Sequence, residues 1–95
     1  MADIPEVTDN PAAGRFEIPT DEGIAILTYK HRGADLELVH TEVPRALEGR
    51  GYAGALAAAA LDYARREGMK VIPTCPYVTA YLKRHPEYAD LVARR

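Results

Sequence analysis

Gly49-Arg50-Gly51-Tyr52-Ala53-Gly54 follows the alternating stretch Asp35–Val43 across the loop Pro44–Glu48 and opens an alanine-rich run, and the reading of this joint decides the fold. A glycine-rich turn between strand and helix is a place to hold phosphate. Glycine lets backbone approach a ligand closely, successive N–H groups point into the gap, and the first helical turn adds a partial positive charge. The run also matches G-x-G-x-x-G, the dinucleotide fingerprint. Against that fold stand the loop between strand and glycines, the lack of an acidic residue closing the next strand, and a chain of 95 residues, where a dinucleotide domain needs about 150.

Working outward, Asp35–Val43 has a clean period of two, which predicts a strand with Leu36, Leu38 and His40 on one face and Val39, Thr41 and Val43 on the other. Arg32-Gly33-Ala34 turns back into a predicted strand Ile24–His31, and Asp21-Glu22-Gly23 into another, Arg15–Pro19. Residues 1–13 hold prolines, acids and small residues without an apolar period, and are expected to be a flexible tail ahead of one domain, 14–95. Downstream, a helix is predicted over Gly51–Glu67, with a buried stripe near Ala53, Leu56, Ala60 and Tyr63, an Asp62–Arg66 pair, and Gly68 as terminator. Met69–Thr74 is a short strand. Pro76 and Pro86 each suit a first helical position, predicting helices Pro76–Arg84 and Pro86–Ala93, with Glu87 early and Arg94 late to complement the dipole. The order is three antiparallel strands, helix, strand, helix: an α/β (α+β) sandwich on a mixed sheet.

Composition narrows the function classes. At 47% hydrophobic and 27% charged residues the chain suits a soluble globular domain, and no apolar run reaches membrane-spanning length. The N-terminus is acidic and proline-bearing, unlike a signal peptide, and a single cysteine has no internal disulfide partner. A cytoplasmic protein without membrane association is expected. The net charge of −2 divides into −6 over residues 1–42 and +4 over 43–95. This split suggests an anionic ligand near the glycine turn and a cationic partner on the other side. Nucleic acid fits poorly, since there is no basic run, no tryptophan and little aromatic interleaving. No long apolar stripe demands a dimer, so a monomer is expected.

Three polar positions remain. Cys75 sits where the last strand ends and Pro76 begins a helix, whose free N–H groups favour thiolate over thiol. His40 shares its predicted strand face with Leu36 and Leu38, and if the last strand inserts beside Asp35–Val43, His40 and Cys75 approach each other across the sheet end. His85 precedes Pro86 as a helix-ending residue. Three scattered histidines and one cysteine have no metal-ligand spacing, so no metal is expected. No Lys-Ser or Lys-Thr follows the glycines, which excludes a nucleotide-hydrolysing P-loop.

Gly49-Arg50-Gly51-Tyr52-Ala53 with Leu56 resembles the Q/R-x-x-G-x-G/A pyrophosphate motif of the GNAT N-acetyltransferase superfamily. His40-Thr41-Glu42-Val43-Pro44, Pro73-Thr74-Cys75-Pro76-Tyr77-Val78 and His85-Pro86-Glu87-Tyr88 are similar to its minimal, single-domain YjdJ-type branch. Glu48 departs from the motif, occupying the position where Gln or Arg is usual. The resemblance implies a GNAT-like, mostly antiparallel mixed sheet packed by helices and an enzyme using acetyl-coenzyme A. Val43 would bond the pantetheine arm, and Gly49, Arg50, Gly51, Tyr52, Ala53 and Gly54 would hold the pyrophosphate. His40 and Cys75 would face the thioester. Either an amine attacks directly with His40 as base, or the acetyl group passes through Cys75. No helices precede the strands to wall an acceptor site, which would suit an exposed protein lysine or N-terminus. A non-catalytic coenzyme A binding module is the competing reading, and a pure interaction domain a third.

Overall fold

The computed structural model describes residues 4–93. Strands β1 (Thr8–Asn10), β2 (Arg15–Thr20), β3 (Gly23–Arg32), β4 (Asp35–Glu42) and β5 (Lys70–Pro73) lie side by side in sequence order. β1 to β4 pair antiparallel through tight turns, whereas β5 joins β4 in parallel. The parallel step follows from helix α1 (Tyr52–Arg66), which carries the chain back along the sheet before β5 begins. Helix α2 (Pro76–Arg84) and a 3₁₀ turn (Pro86–Leu91) complete the described chain. This is the expected mixed, mostly antiparallel sheet packed by helices.

The helices cover one face of the sheet. Phe16, Ile18, Leu27, Tyr29, Leu36, Leu38 and Val71 point into the core, where Leu56, Ala57, Ala60, Leu61 and Ala64 of α1 meet them. The alanines let α1 lie close against the strands. Of the stripe expected at Ala53, Leu56, Ala60 and Tyr63, Leu56 and Ala60 are buried, but Ala53 and Tyr63 are half-buried, and Tyr52, Ala57, Leu61 and Ala64 complete the buried arc. The expected Asp62–Arg66 pair gives way to other partners, one across the fold and one on the helix itself. Asp62 accepts a bond from the Tyr88 hydroxyl at 2.9 Å, and the Arg66 guanidinium lies 5.8 Å from the Tyr63 ring centre. Gly68, at φ +70°, ends the helix as expected, with the Met69 amide bonded back to the Ala64 carbonyl at 2.8 Å.

Two other expectations change. The predicted helix Pro86–Ala93 is a shorter 3₁₀ turn, because Val92 bridges in parallel to Val71 and the Ala93 amide bonds the Val71 carbonyl at 2.8 Å, drawing the chain out straight. Arg94 lies outside the described residues, as do the first three residues of the expected tail. Within that tail, Thr8–Asn10 adds an edge strand that its composition did not announce. Distant partners hold it: the Tyr29 hydroxyl donates to Asp9 at 2.6 Å, and the Asn10 amide group donates to Glu17 at 2.9 Å.

A bulge interrupts β4. Tyr29 pairs with Leu38 but Thr28 pairs with His40, leaving Val39 as an extra residue. Because strand side chains alternate with a period of two, one extra residue exchanges the faces beyond it. His40 and Glu42 stand opposite Thr28 and Ile26 on the uncovered face of the sheet, and Thr41 stands opposite Leu27 on the helix side. The expectation that His40 shares the apolar face of Leu36 and Leu38 is corrected accordingly: its side chain is 57% exposed.

Candidate functional site

The turn into α1 is shaped by two left-handed glycines. Gly49 has φ +77° and Gly51 φ +90°, conformations that cost an L-residue about 1–2 kcal/mol. Gly51 is also the residue that caps α1, and it offers no side chain to the helix. The first helical bond runs from the Ala55 amide to the Gly51 carbonyl at 3.0 Å, so the amides of Tyr52, Ala53 and Gly54 have no intrahelical acceptor and meet none among the described residues. No acidic side chain occupies the first turn. The amides belong to a cleft of about 260 Å³ lined by Val43, Leu47, Glu48, Gly49, Gly51, Tyr52, Ala53, Gly54 and Tyr77. Of the residues expected to cradle a diphosphate, all line this cleft except Arg50, which is exposed beside it.

Val43, just past β4, and Tyr77, at the start of α2, line this cleft, and the two segments they belong to part from each other. β5 pairs with β4 only from Asp35 to Leu38, and one further bond, from the Cys75 amide to the Leu38 carbonyl at 2.9 Å, marks the point of separation. Beyond it β4 runs on to Glu42 while the other chain turns into α2 at Pro76. Cys75 is 3% exposed, and its Sγ lies 3.3 Å from Thr41 Oγ1. His40 instead faces Glu42, with Nε2 3.1 Å from Oε2. The structure thus joins Cys75 to Thr41 and assigns His40 to the opposite face of the sheet. His85 ends α2 and stacks on Tyr81 with ring centres 4.0 Å apart.

Sequence reasoning missed Thr41, Leu47 and Tyr77. Thr41 was hidden by the bulge. Tyr77 carried a signal, since side chains in the first turn of a helix lean toward its N-terminal end; its hydroxyl would lie 3.5 Å from a Cβ on Gly54.

Glu37 ties the two strands together just before they part. Its carboxylate accepts Thr74 Oγ1 at 2.5 Å and Arg32 Nε at 2.8 Å, and these bonds, Thr74's first, hold its pKa below the ordinary 4.5. A carboxyl group depressed on folding stabilises the protein above its unfolded pKa and loses that contribution as pH falls through the folded value. The melting temperature is therefore expected to drop below pH 4.5. Glu37→Gln should lower it at neutral pH and flatten the acid limb. An unchanged acid limb in that variant would show that the link contributes nothing.

Residues 15–91 match the family described as GCN5-related N-acetyl-transferase. The fold is that of a GCN5-like protein from Staphylococcus aureus solved by NMR, with a TM-score of 0.75 and 25% identity over 99% of this chain and 93% of that one. Protein NATD1 of Gallus gallus is 46% identical over 63 residues, 65% of this chain and 57% of the relative. Protein NATD1 of Danio rerio is 39% identical over 71 residues, 72% of this chain and 64% of the relative. The chain thus spans little more than half the length of the curated relatives it matches. With β2 to β5, the parting strands and the glycine turn inside the matched span, the chain belongs to the GCN5-related N-acetyltransferase family.

Proposed function

We propose that the protein transfers an acetyl group from acetyl-coenzyme A to an amine, on a protein lysine or N-terminus, in the cytoplasm. The observation that carries this reading is the row of unpartnered amides at Tyr52, Ala53 and Gly54, following two left-handed glycines and opening on a cleft that Val43 and Tyr77 also line. Such a cradle fits the diphosphate of coenzyme A, with Val43 and Tyr77 flanking the path of the arm. Bound acetyl-coenzyme A would supply an activated acetyl thioester. An amine with a pKa of about 10 must lose its proton before it can attack. His40, exposed and braced by Glu42, is the group suited to take that proton. Cys75, buried and bonded to Thr41, suits a packing role near the gap better than an attacking one.

The test is an amide chemical-shift titration with coenzyme A. The largest changes are expected at Val43 and Gly49–Gly54, with affinity falling as salt rises because the ligand is polyanionic. Small uniform shifts at millimolar ligand would overturn the reading. Glu48 adds a second check. It lines the cleft with a carboxylate beside an anion cradle, so Glu48→Gln should tighten coenzyme A binding several-fold. Unaltered affinity would show that this side chain is fully screened.

The separation of His40 from Cys75 favours one alternative, a coenzyme A binding module without catalysis. Turnover against a panel of amines separates the two: binding without any acetylated product supports the module.

A further inference from the structure

The sheet's second face is covered by no element among the described residues, and one end of it has a distinctive make-up. Among the described residues, Ile24 is the large apolar side chain most exposed to solvent, at 45%, and it stands opposite Pro19. Ile26, next on the same face, lies between Glu17 on β2 and Glu42 on β4. Beyond Ile24, the β2–β3 turn adds Asp21 and Glu22, both exposed and neither in a salt bridge among the described residues. Arg15 pairs with Glu17, and Lys30 lies further along the face opposite Glu37. This end of the sheet therefore presents apolar surface rimmed by carboxylates. The bulge carries it up to the strand gap, since His40 and Glu42 belong to the part of β4 that β5 has left.

We propose that this patch docks the acceptor, and that the acceptor is a basic, exposed segment of another protein, its side chains packing on Ile24 and Ile26 and its positive charges meeting Asp21, Glu22 and Glu42. The inference rests on the acetyltransferase reading. Charge complementarity selects the occupant: a lysine segment with cationic neighbours gains at every carboxylate of the rim, while an acidic or nucleic-acid partner is repelled. Shape agrees with it. A flat, open face suits an extended segment seated on a surface, where a small amine would find no enclosing walls.

The experiment titrates the full chain with two peptides, each holding one central lysine, one flanked by lysine and arginine and the other by glutamate. Amide shifts are read with and without coenzyme A, and acetylated product is measured separately. The basic peptide is expected to shift Ile24, Ile26, Thr28 and Glu42, to bind at least about tenfold more tightly than the acidic one, and to weaken with salt. Ile24→Ser, and separately Asp21→Lys with Glu22→Lys, should each weaken the basic peptide while leaving coenzyme A affinity unchanged. Shifts on this face without acetylated product would uphold the docking surface and overturn the catalytic reading. Acetylated peptide with no shifts on this face, equal binding of both peptides, or concentration-dependent shifts there without peptide, marking a second copy as the occupant, would overturn the docking surface.

Discussion

Gly51→Asp is expected to raise the dissociation constant of coenzyme A by about 100-fold, the largest loss of binding from any single change in the cleft. Gly51 has φ +90° and directly precedes the three unpartnered amides of α1. An aspartate there forces an L-residue into a left-handed conformation and sets a carboxylate against the ligand's diphosphate. Two like charges about 4 Å apart repel by about 4 kcal/mol at the effective dielectric of a protein surface, enough for a hundredfold effect after partial screening. Gly51→Ala separates the causes. It shares the backbone strain, and its Cβ would lie 3.4 Å from the Ile4 side chain, but it adds no charge. Calorimetric titration should place it between the parent and the aspartate variant, with circular dichroism confirming that all three are folded. Retained affinity in Gly51→Asp would remove the phosphate reading of the glycine turn.

The second large effect concerns the proton. If His40 accepts it during attack, His40→Ala should lower turnover by about 10²–10⁴-fold, as loss of a general base does, with coenzyme A affinity unchanged. Cys75→Ala should keep most of its activity, and mass spectrometry after brief incubation with acetyl-coenzyme A alone should find no acetyl group on the enzyme. An added acetyl mass that disappears in Cys75→Ala would reverse the assignment and make the thiol the carrier. Full turnover in both variants would show that neither side chain does the chemistry.

Much of the fold was legible because punctuating residues stand at the joints. Gly51 and Gly68 bracket α1, Pro76 opens α2, and the alternation through Leu36 and Leu38 marks a half-buried strand. The glycine turn was legible as a helix start with open amides because its backbone chemistry is local. Where the reading failed, the deciding contacts were distant. Thr8–Asn10 is polar and becomes a strand through Tyr29 and Glu17. In α1, alanines lie on every side of the helix between Ala53 and Ala60, so periodicity could not choose which arc faces the sheet; packing against β2 and β3 chose it. Nothing between Asp35 and Glu42 announces the bulge, since the stretch has no glycine or proline and Val39 is an ordinary strand residue. The partner of Cys75 was therefore misjudged by one position.

That single extra residue has a meaning for comparing chains of this fold. Val39 acts as a phase shift in a two-beat pattern: every position before it keeps one assignment of inside and outside, and every position after it keeps the other. Two relatives with the same histidine and threonine in a row, one with the bulge and one without, would present those side chains to opposite sides of the sheet. Matching letters in this strand do not amount to matching roles, and a gap of one residue in an alignment here is equivalent to exchanging the lining of the strand gap with the outer surface.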